Sequence, residues 1–436
     1  MTSRRPNFIV VYCDDLGYGD LGCYGSETCR TPHLDALASD GVRFTNWYSN
    51  SPVCSPSRAS LLTGKYPIRA GIRRILGGKR GTSGLPGEQT TIASALKAAG
   101  YRTALFGKWH LGMADEHSPN RHGFDEFFGF KAGCIDYYSH IFYWEQWNGV
   151  NPVHDLWRDG REVWEDGRYM TELITEEAVS FLERNDDEPF FLYLPYNAPH
   201  YPMHAPKEYM DRFAHLPWDR RAMAAMIAAV DDGVGRIVDT LKRRGLYEDT
   251  VIFFSSDNGP STESRNWLDG TEDLYYGGSA GVFRGHKGSL FEGGIREPAI
   301  LTYPRGLAGG RVHDGVFAMM DVFPTFLQLA DADDRPADGM NIMPILTGEA
   351  EEPPERTLFW EYDGQLAARR GDWKLVLDGK LDFSREAPEP VHLSDLSSDP
   401  GERANAASLH PELVGELREA AQSWLEGCES GTGDSA

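Results

Sequence analysis

The chain lacks any long apolar run. Its longest, such as Phe8 to Tyr12 and Phe190 to Pro195, fall far below the roughly 20 residues that cross a bilayer, so no membrane span is encoded. It also lacks positive charge: 43 Lys and Arg stand against 66 Asp and Glu, a formal net charge of -23. A general nucleic-acid binder needs a basic surface to displace counterions, so that class is excluded, and an anionic substrate must meet cations placed locally. Cysteine is sparse. Cys13, Cys23, Cys29, Cys54, Cys134 and Cys428 show neither the density of a disulfide scaffold nor the paired spacing of a zinc site, and most read as small buried hydrophobes. No apolar leader precedes the first strand, so the chain as numbered is expected to be cytoplasmic, or periplasmic or secreted if a leader has been trimmed.

What is present is a globular composition, 41% hydrophobic and 12% aromatic, in a helix-then-strand rhythm. The run Asn7 to Tyr12 predicts a buried strand ending at Asp14-Asp15. Thr91 to Ala99 has helical spacing with Gly100 beyond it, and the strand Tyr101 to Phe106 then leads to Lys108 and His110. A helix over Thr171 to Asn185 precedes the strand Phe190 to Leu194 and the loop Asn197 to His200. A third helix, Arg220 to Arg244, precedes Val251 to Phe254 and Asp257-Asn258. This alternation predicts an α/β fold with a large, mostly parallel mixed sheet sandwiched by helices over residues 1–350. The polar stretch Gly348 to Glu355 reads as a linker. Beyond it, residues 351–436 read as a smaller α+β domain with an antiparallel sheet around Leu366 to Leu377 and a helix at His410 to Leu425.

In parallel sheets ligands bind at the carboxyl ends of the strands, and four predicted strand ends here carry Asp, Lys, His and Asn. Asp14, Asp15, Asp257 and Asn258 are hard oxygen ligands suited to calcium or a similar divalent cation. The alternative is that Asp14 and Asp257 merely cap following helices. In Cys54-Ser-Pro-Ser-Arg58, Pro56 suits a first helical turn and Gly64 its end. Cys54 then sits at a helix N-terminus, where an anion is favoured, with Arg58 one turn on.

Cys54-x-Pro-x-Arg58 resembles the signature of the formylglycine-dependent sulfatases of the alkaline phosphatase superfamily. The resemblance extends through Gly107-Lys-Trp-His-Leu-Gly112, Pro199-His200, Asp257-Asn-Gly259 and Gly285 to Gly294, and on to Gly371-Asp-Trp-Lys374. It implies that a separate maturation enzyme oxidises Cys54 to formylglycine, whose hydrate supplies the nucleophilic hydroxyl. It also implies one calcium ion held by Asp14, Asp15, Asp257, Asn258 and an oxygen of the modified Cys54. Arg58 would orient the nucleophile, Lys108 and Lys287 would bind sulfate, Lys108 or His200 would protonate the leaving alcohol, and His110 would help the covalent intermediate collapse. The substrate class implied is a sulfate monoester, foremost a sulfated carbohydrate, with aryl sulfates as surrogates.

One departure is His286, where relatives commonly have glycine; it adds either a substrate contact or a bulkier loop. Aromatics crowd between Gly133 and Trp164: Tyr137, Tyr138, Phe142, Tyr143, Trp144, Trp147, Trp157 and Trp164. They offer either a platform for a sugar, with Asp136 and His140 as polar contacts, or ordinary core. Arg73-Arg74 and Lys79-Arg80 read as a solvated basic loop. Three other readings stay open: a phosphonate monoester or phosphodiester hydrolase of the same superfamily, a sulfated-glycan binding module with Cys54 unmodified, and a thiol hydrolase acting through Cys54. The natural substrate and the oligomeric state are not encoded legibly.

Overall fold

The computed structural model describes residues 5–143, 152–185, 188–263, 275–351 and 353–431. A ten-stranded sheet runs in the order Arg311–Ala318, Val42–Tyr48, Ala299–Thr302, Thr250–Ser256, Asn7–Cys13, Phe190–Pro195, Arg102–Lys108, Glu126–Phe130, Trp157–Arg158, Arg161–Glu162. From Thr250–Ser256 to Glu126–Phe130 the neighbouring strands are parallel, and antiparallel strands flank them, giving the expected mostly parallel mixed sheet. Asn7 sets the register at the centre: its side chain donates to Thr250 Oγ1 (3.4 Å) and accepts from the Phe190 N–H (3.2 Å).

The first strand is buried on both faces, as its continuous apolar run requires. Ile9 and Val11 pack into one core with helices Met170–Glu183 and Trp218–Arg243. Phe8, Val10 and Tyr12 pack into the other, with helices Cys54–Thr63, Ile92–Ala98 and Val322–Leu329. This two-residue alternation is what places helical layers on both sides. Helix Val322–Leu329 serves packing, and Asp321 before it accepts from Arg356 Nη1 at 2.8 Å. One boundary differs usefully from the sequence reading. The strand predicted to end at Phe106 continues to Lys108, so Lys108 is held by the rigid sheet and not by a loop.

The C-terminal part forms a separate four-stranded antiparallel sheet, Thr357–Tyr362, Gln365–Arg370, Trp373–Leu377 and Val391–Asp395, backed by helix Pro411–Ser430. Its apolar face shares one cluster with Tyr48 of the larger sheet and Val53, Leu290, Phe291 and Ile295 of that sheet's connections. A buried ionic knot also joins the two: Lys374 Nζ lies 2.8 Å from Glu292 and 3.2 Å from Glu402, and Glu292 also pairs with Arg296 at 3.0 Å. Among the described residues no helix is long and apolar enough to cross a membrane.

Candidate active site

The parallel register carries the polar residues to one edge. Cys13 lies beside Ser256 and Tyr12 beside Pro195, so the next residues of these strands, Asp14-Asp15, Asp257-Asn258 and the loop to His200, emerge together. Lys108 ends the neighbouring strand and His110 follows two residues later. Asp15 (φ 64°) and His110 (φ 53°) both adopt the left-handed conformation, uncommon for residues with side chains and concentrated at functional sites. Helix Cys54–Thr63 presents its first residue to this edge, and Gly64 ends it with φ 69°, where a Cβ would meet Phe323 at 2.8 Å.

Every member of the site is buried. Cys54 Sγ lies 3.5 Å from Asp14 Oδ1. Arg58 donates Nε and Nη2 to Asp257 Oδ2 at 3.0 and 2.6 Å, and Nη1 to the Lys108 carbonyl at 3.4 Å. Lys108 Nζ donates to Asp14 Oδ2 (2.6 Å), and Lys287 Nζ lies 2.8 Å from Asp15 Oδ1. The Asp15 N–H donates to Asp257 Oδ1 (3.2 Å), and Asn258 Nδ2 to Asp15 Oδ1 (2.7 Å). Three carboxylates thus face three cations, a balance without which either set would be prohibitively costly to bury.

The charges shape one another. Burial would raise Asp14, but Lys108, then Arg58 and Lys287, more than offset it and hold the carboxyl below its ordinary value. Asp15 is pushed up to about 7 by burial, which Lys287 opposes and Asp14 and Asp257 reinforce. Burial, then Asp14, raises Asp257. Burial lifts the Cys54 thiol far above its usual range despite Lys108 and Lys287. That is the reverse of what a thiol nucleophile needs, and it disfavours the thiol-hydrolase reading. His110 and His200 are held well below their ordinary value, by burial and then by Lys108 and Lys287 respectively, so both are neutral.

Of the predicted metal and catalytic residues, Asn258 and His110 each keep a buried polar atom without a partner, Oδ1 and Nδ1 respectively. An orphaned amide oxygen beside carboxylates is what a hard cation would satisfy, and Asp14, Asp15, Cys54 and His200 each bring a ligand atom within 4.8 Å of the others. The donor set therefore fits a calcium-type ion.

A cavity of about 430 Å³ opens over these groups, with Cys54, His110, His200 and Lys287 in its lining. Sequence reasoning missed its walls: Leu76, Cys134, Tyr201, Glu263 and Phe383. Tyr201 was findable as the residue next to His200, whereas Phe383 arrives from the C-terminal sheet's loop and packs over Gly288, where a Cβ would meet its ring at 3.1 Å.

Three predicted substrate contacts do not line the cavity. The His286 N–H donates to the Leu381 carbonyl (2.9 Å), so this residue braces the turn that carries Phe383. Asp136 accepts from the Tyr138 and Ser139 N–H groups (3.0 and 2.7 Å), closing a local turn. His140 is buried and lies 3.2 Å from the Arg168 carbonyl. Of the predicted aromatics, Phe142 alone among the described residues lines the cavity, and Trp144 and Trp147 lie outside them. Tyr137 acts from below, its hydroxyl 2.8 Å from the carbonyls of both Asn197 and His200. Arg73 and Arg74 pair with Glu361, and Arg80 with Glu162, at the surface.

Comparison with known proteins agrees with this geometry. The family model described as Sulfatase matches residues 6–332. Human arylsulfatase A is 33% identical, over 96% of this chain and 87% of that protein, and mouse steryl-sulfatase is 33% identical over 96% and 82%. The solved structure of Ps i-CgsB in complex with k-i-k-neocarrahexaose superposes with a TM-score of 0.85 at 31% identity, covering 96% of this chain and 92% of that one. Strand-end carboxylates, the Cys54 helix and these likenesses lead to one conclusion: the chain belongs to the sulfatase family, in the alkaline phosphatase superfamily, and is a sulfate ester hydrolase.

Proposed function

We propose that this enzyme cleaves the sulfate monoester of a saccharide, after a maturation enzyme has converted Cys54 to formylglycine. The observation that carries the reading is the placement of Cys54 at a buried helix N-terminus, 3.5 Å from Asp14, in a cavity it shares with His110, His200 and Lys287. The hydrated aldehyde would supply the attacking hydroxyl, and calcium held by Asp14, Asp15, Asp257 and Asn258 would add Lewis-acid stabilisation of a sulfate oxygen.

The chain's own residues divide the remaining work. Arg58 fixes the orientation of Asp257 through its two bonds to Oδ2. Lys287 stays charged, since burial pulls it down but Asp15 and the other acidic neighbours together more than offset that pull, and it neutralises sulfate. His200 Nδ1 lies 2.7 Å from the Tyr201 carbonyl and must carry the hydrogen there, which leaves Nε2 bare in the neutral ring. A bare nitrogen accepts and does not donate, so Lys108 is the proton donor to the leaving alcohol. His110 Nε2 is committed in the same way to the Leu76 carbonyl at 3.0 Å. Its Nδ1, buried and without a partner, is the base that takes the proton when sulfate is expelled.

Leu76, Phe142, Tyr201 and Phe383 offer apolar faces beside a Glu263 carboxylate, a mixture suited to a sugar ring. The neocarrahexaose bound in Ps i-CgsB supports a saccharide. Peptide mass spectrometry across Cys54 on protein from its native host, with inorganic sulfate release measured in parallel, tests the proposal. The expected result is the mass of an aldehyde in place of the thiol, with turnover lost in Cys54→Ala. An unmodified thiol in folded, inactive native protein would overturn it and favour the binding-module reading.

A further inference from the structure

His140, one of the residues absent from the catalytic cavity, belongs to a second cluster. It lies in the segment between strand Glu126–Phe130 and helix Met170–Glu183. There a short antiparallel ribbon, Ile141–Phe142 against Val153–His154, pairs Ile141 with His154. The Asp155 N–H donates to the His140 carbonyl at 2.9 Å, and the Gly167 N–H to the Tyr138 carbonyl at 2.8 Å, which brings the turn around Asp166 alongside. One nitrogen of His140, one of His154 and one carboxylate oxygen of Asp166 lie within 4.8 Å of one another.

The outward hydrogen bonds fix which nitrogens face inward. His140 Nε2 lies 3.2 Å from the Arg168 carbonyl, which can only accept, so the hydrogen is on Nε2 and Nδ1 carries a lone pair. His154 Nδ1 lies 3.0 Å from Glu162 Oε1, so its hydrogen is on Nδ1 and Nε2 carries a lone pair. Those two nitrogens, His140 Nδ1 and His154 Nε2, are both buried and without a partner. The residues are 0% and 8% exposed, so water offers little compensation. A buried acceptor left unpaired costs about 1–3 kcal/mol, and two in one place call for a common partner. Trp164 stacks on His154 with ring centroids 3.8 Å apart and holds that imidazole's orientation.

We infer that His140, His154 and Asp166 form a second metal site, selective for a zinc-type transition ion and distinct from the oxygen-rich calcium site. Two imidazoles and one carboxylate are a zinc-type donor set, and a carbonyl or carboxylate behind each imidazole is the arrangement that fixes a ligating histidine. Asp166 is exposed, so the remaining coordination position faces solvent and takes water. The ion would clamp the ribbon that delivers Phe142 to the catalytic cavity, without touching the reacting groups.

The test uses the full-length, calcium-loaded enzyme stripped of transition metals and titrated with cobalt(II) as a spectroscopic stand-in for zinc. Stoichiometric binding with the intense visible absorption of a tetrahedral ion is expected, with cobalt displaced by added zinc. Asp166→Ala, an exposed change that leaves the fold intact, should weaken binding at least tenfold. Glu162→Gln, acting only through His154, should weaken it by about 10- to 100-fold, and both variants should keep aryl sulfate turnover. Absence of the tetrahedral band in wild type would overturn the inference. So would a band of equal affinity in both variants, which would mark adventitious surface binding.

Discussion

Replacing Arg58 by lysine tests the central ionic arrangement most directly, because it keeps the charge and removes the fork. Arg58 is fully buried and reaches Asp257 Oδ2 through both Nε (3.0 Å) and Nη2 (2.6 Å), with Nη2 also 3.6 Å from Asp14 Oδ1. A lysine ammonium retains a single direct bond to Asp257 and cannot span to Asp14 and the Lys108 carbonyl as well. Losing one bond to a charged acceptor costs about 1.5–3 kcal/mol, and the weaker carbonyl contact adds about 0.5–1 kcal/mol, so a loss of about 2–4 kcal/mol is expected. Arg58→Met, which leaves two carboxylates short of a cation, should cost about 3–5 kcal/mol. Because Asp257 is aimed by the same fork, Arg58→Lys should also lower kcat/KM by about 100-fold through misplacement alone. Urea unfolding and steady-state hydrolysis of an aryl sulfate measure both quantities on the same preparations. An Arg58→Lys enzyme within about 0.5 kcal/mol of wild type and within about threefold in kcat/KM would refute the reasoning.

Lys374→Met should destabilise the protein by about 3–5 kcal/mol at pH 8 by stranding Glu402 and leaving Glu292 with Arg296 as its remaining cation. Burial and Glu292 already hold Glu402 up at about 7, so it takes up a proton more readily at pH 6 and the loss should be smaller there; equal losses at both values would contradict the assignment. Phe383→Ala should raise KM for bulky sulfate esters by about two- to tenfold, from the roughly 0.5–1.5 kcal/mol of an aromatic contact, with kcat unchanged; an unaltered KM would remove Phe383 from the substrate wall. His122 is buried, and burial, then His117, depresses it to about 4. Its unfolded value is about 6.5, so the unfolded chain takes the proton first as pH falls, and stability complete above 6.5 is lost down to about 4. His122→Gln should therefore flatten the acid limb of the stability curve by up to about 3 kcal/mol relative to wild type, and parallel curves would show that His122 does not titrate as described.

Much of the site was legible because its determinants are local. The strand and helix periods, Gly64 as a helix end and Pro56 in a first turn are short-range signals, and they located Asp14, Asp15, Cys54, Lys108, His110, His200, Asp257 and Asn258 at chain positions where an α/β sheet exposes ligand-binding residues. That the strands are adjacent is a tertiary fact: the contact between Asn258 and Asp15 spans 243 residues, and only the parallel register made it. Motif resemblance bridged that gap for the catalytic set but not for what surrounds it. Asp136 and His140 stand near the right segments yet turn their side chains to backbone groups of their own region, and His286 serves the neighbouring turn through its backbone N–H, since a one-residue change in a loop's direction decides which face it presents. Phe383 was invisible for the opposite reason, being close in space and remote in chain.

The sequence by itself determined the fold class and the acidic and apolar-run exclusions, because composition, period and capping act over a few residues, and its motifs named the candidate reacting groups. Tertiary structure alone decided the cavity walls, the clustering of His140 with His154 and Asp166, and the hydrogen-bond commitments from which the roles proposed for His110 and Lys108 are argued. Those depend on which carbonyl or carboxylate lies within about 3 Å of a given nitrogen, a distance set by the packing of whole layers and by no pattern along the chain.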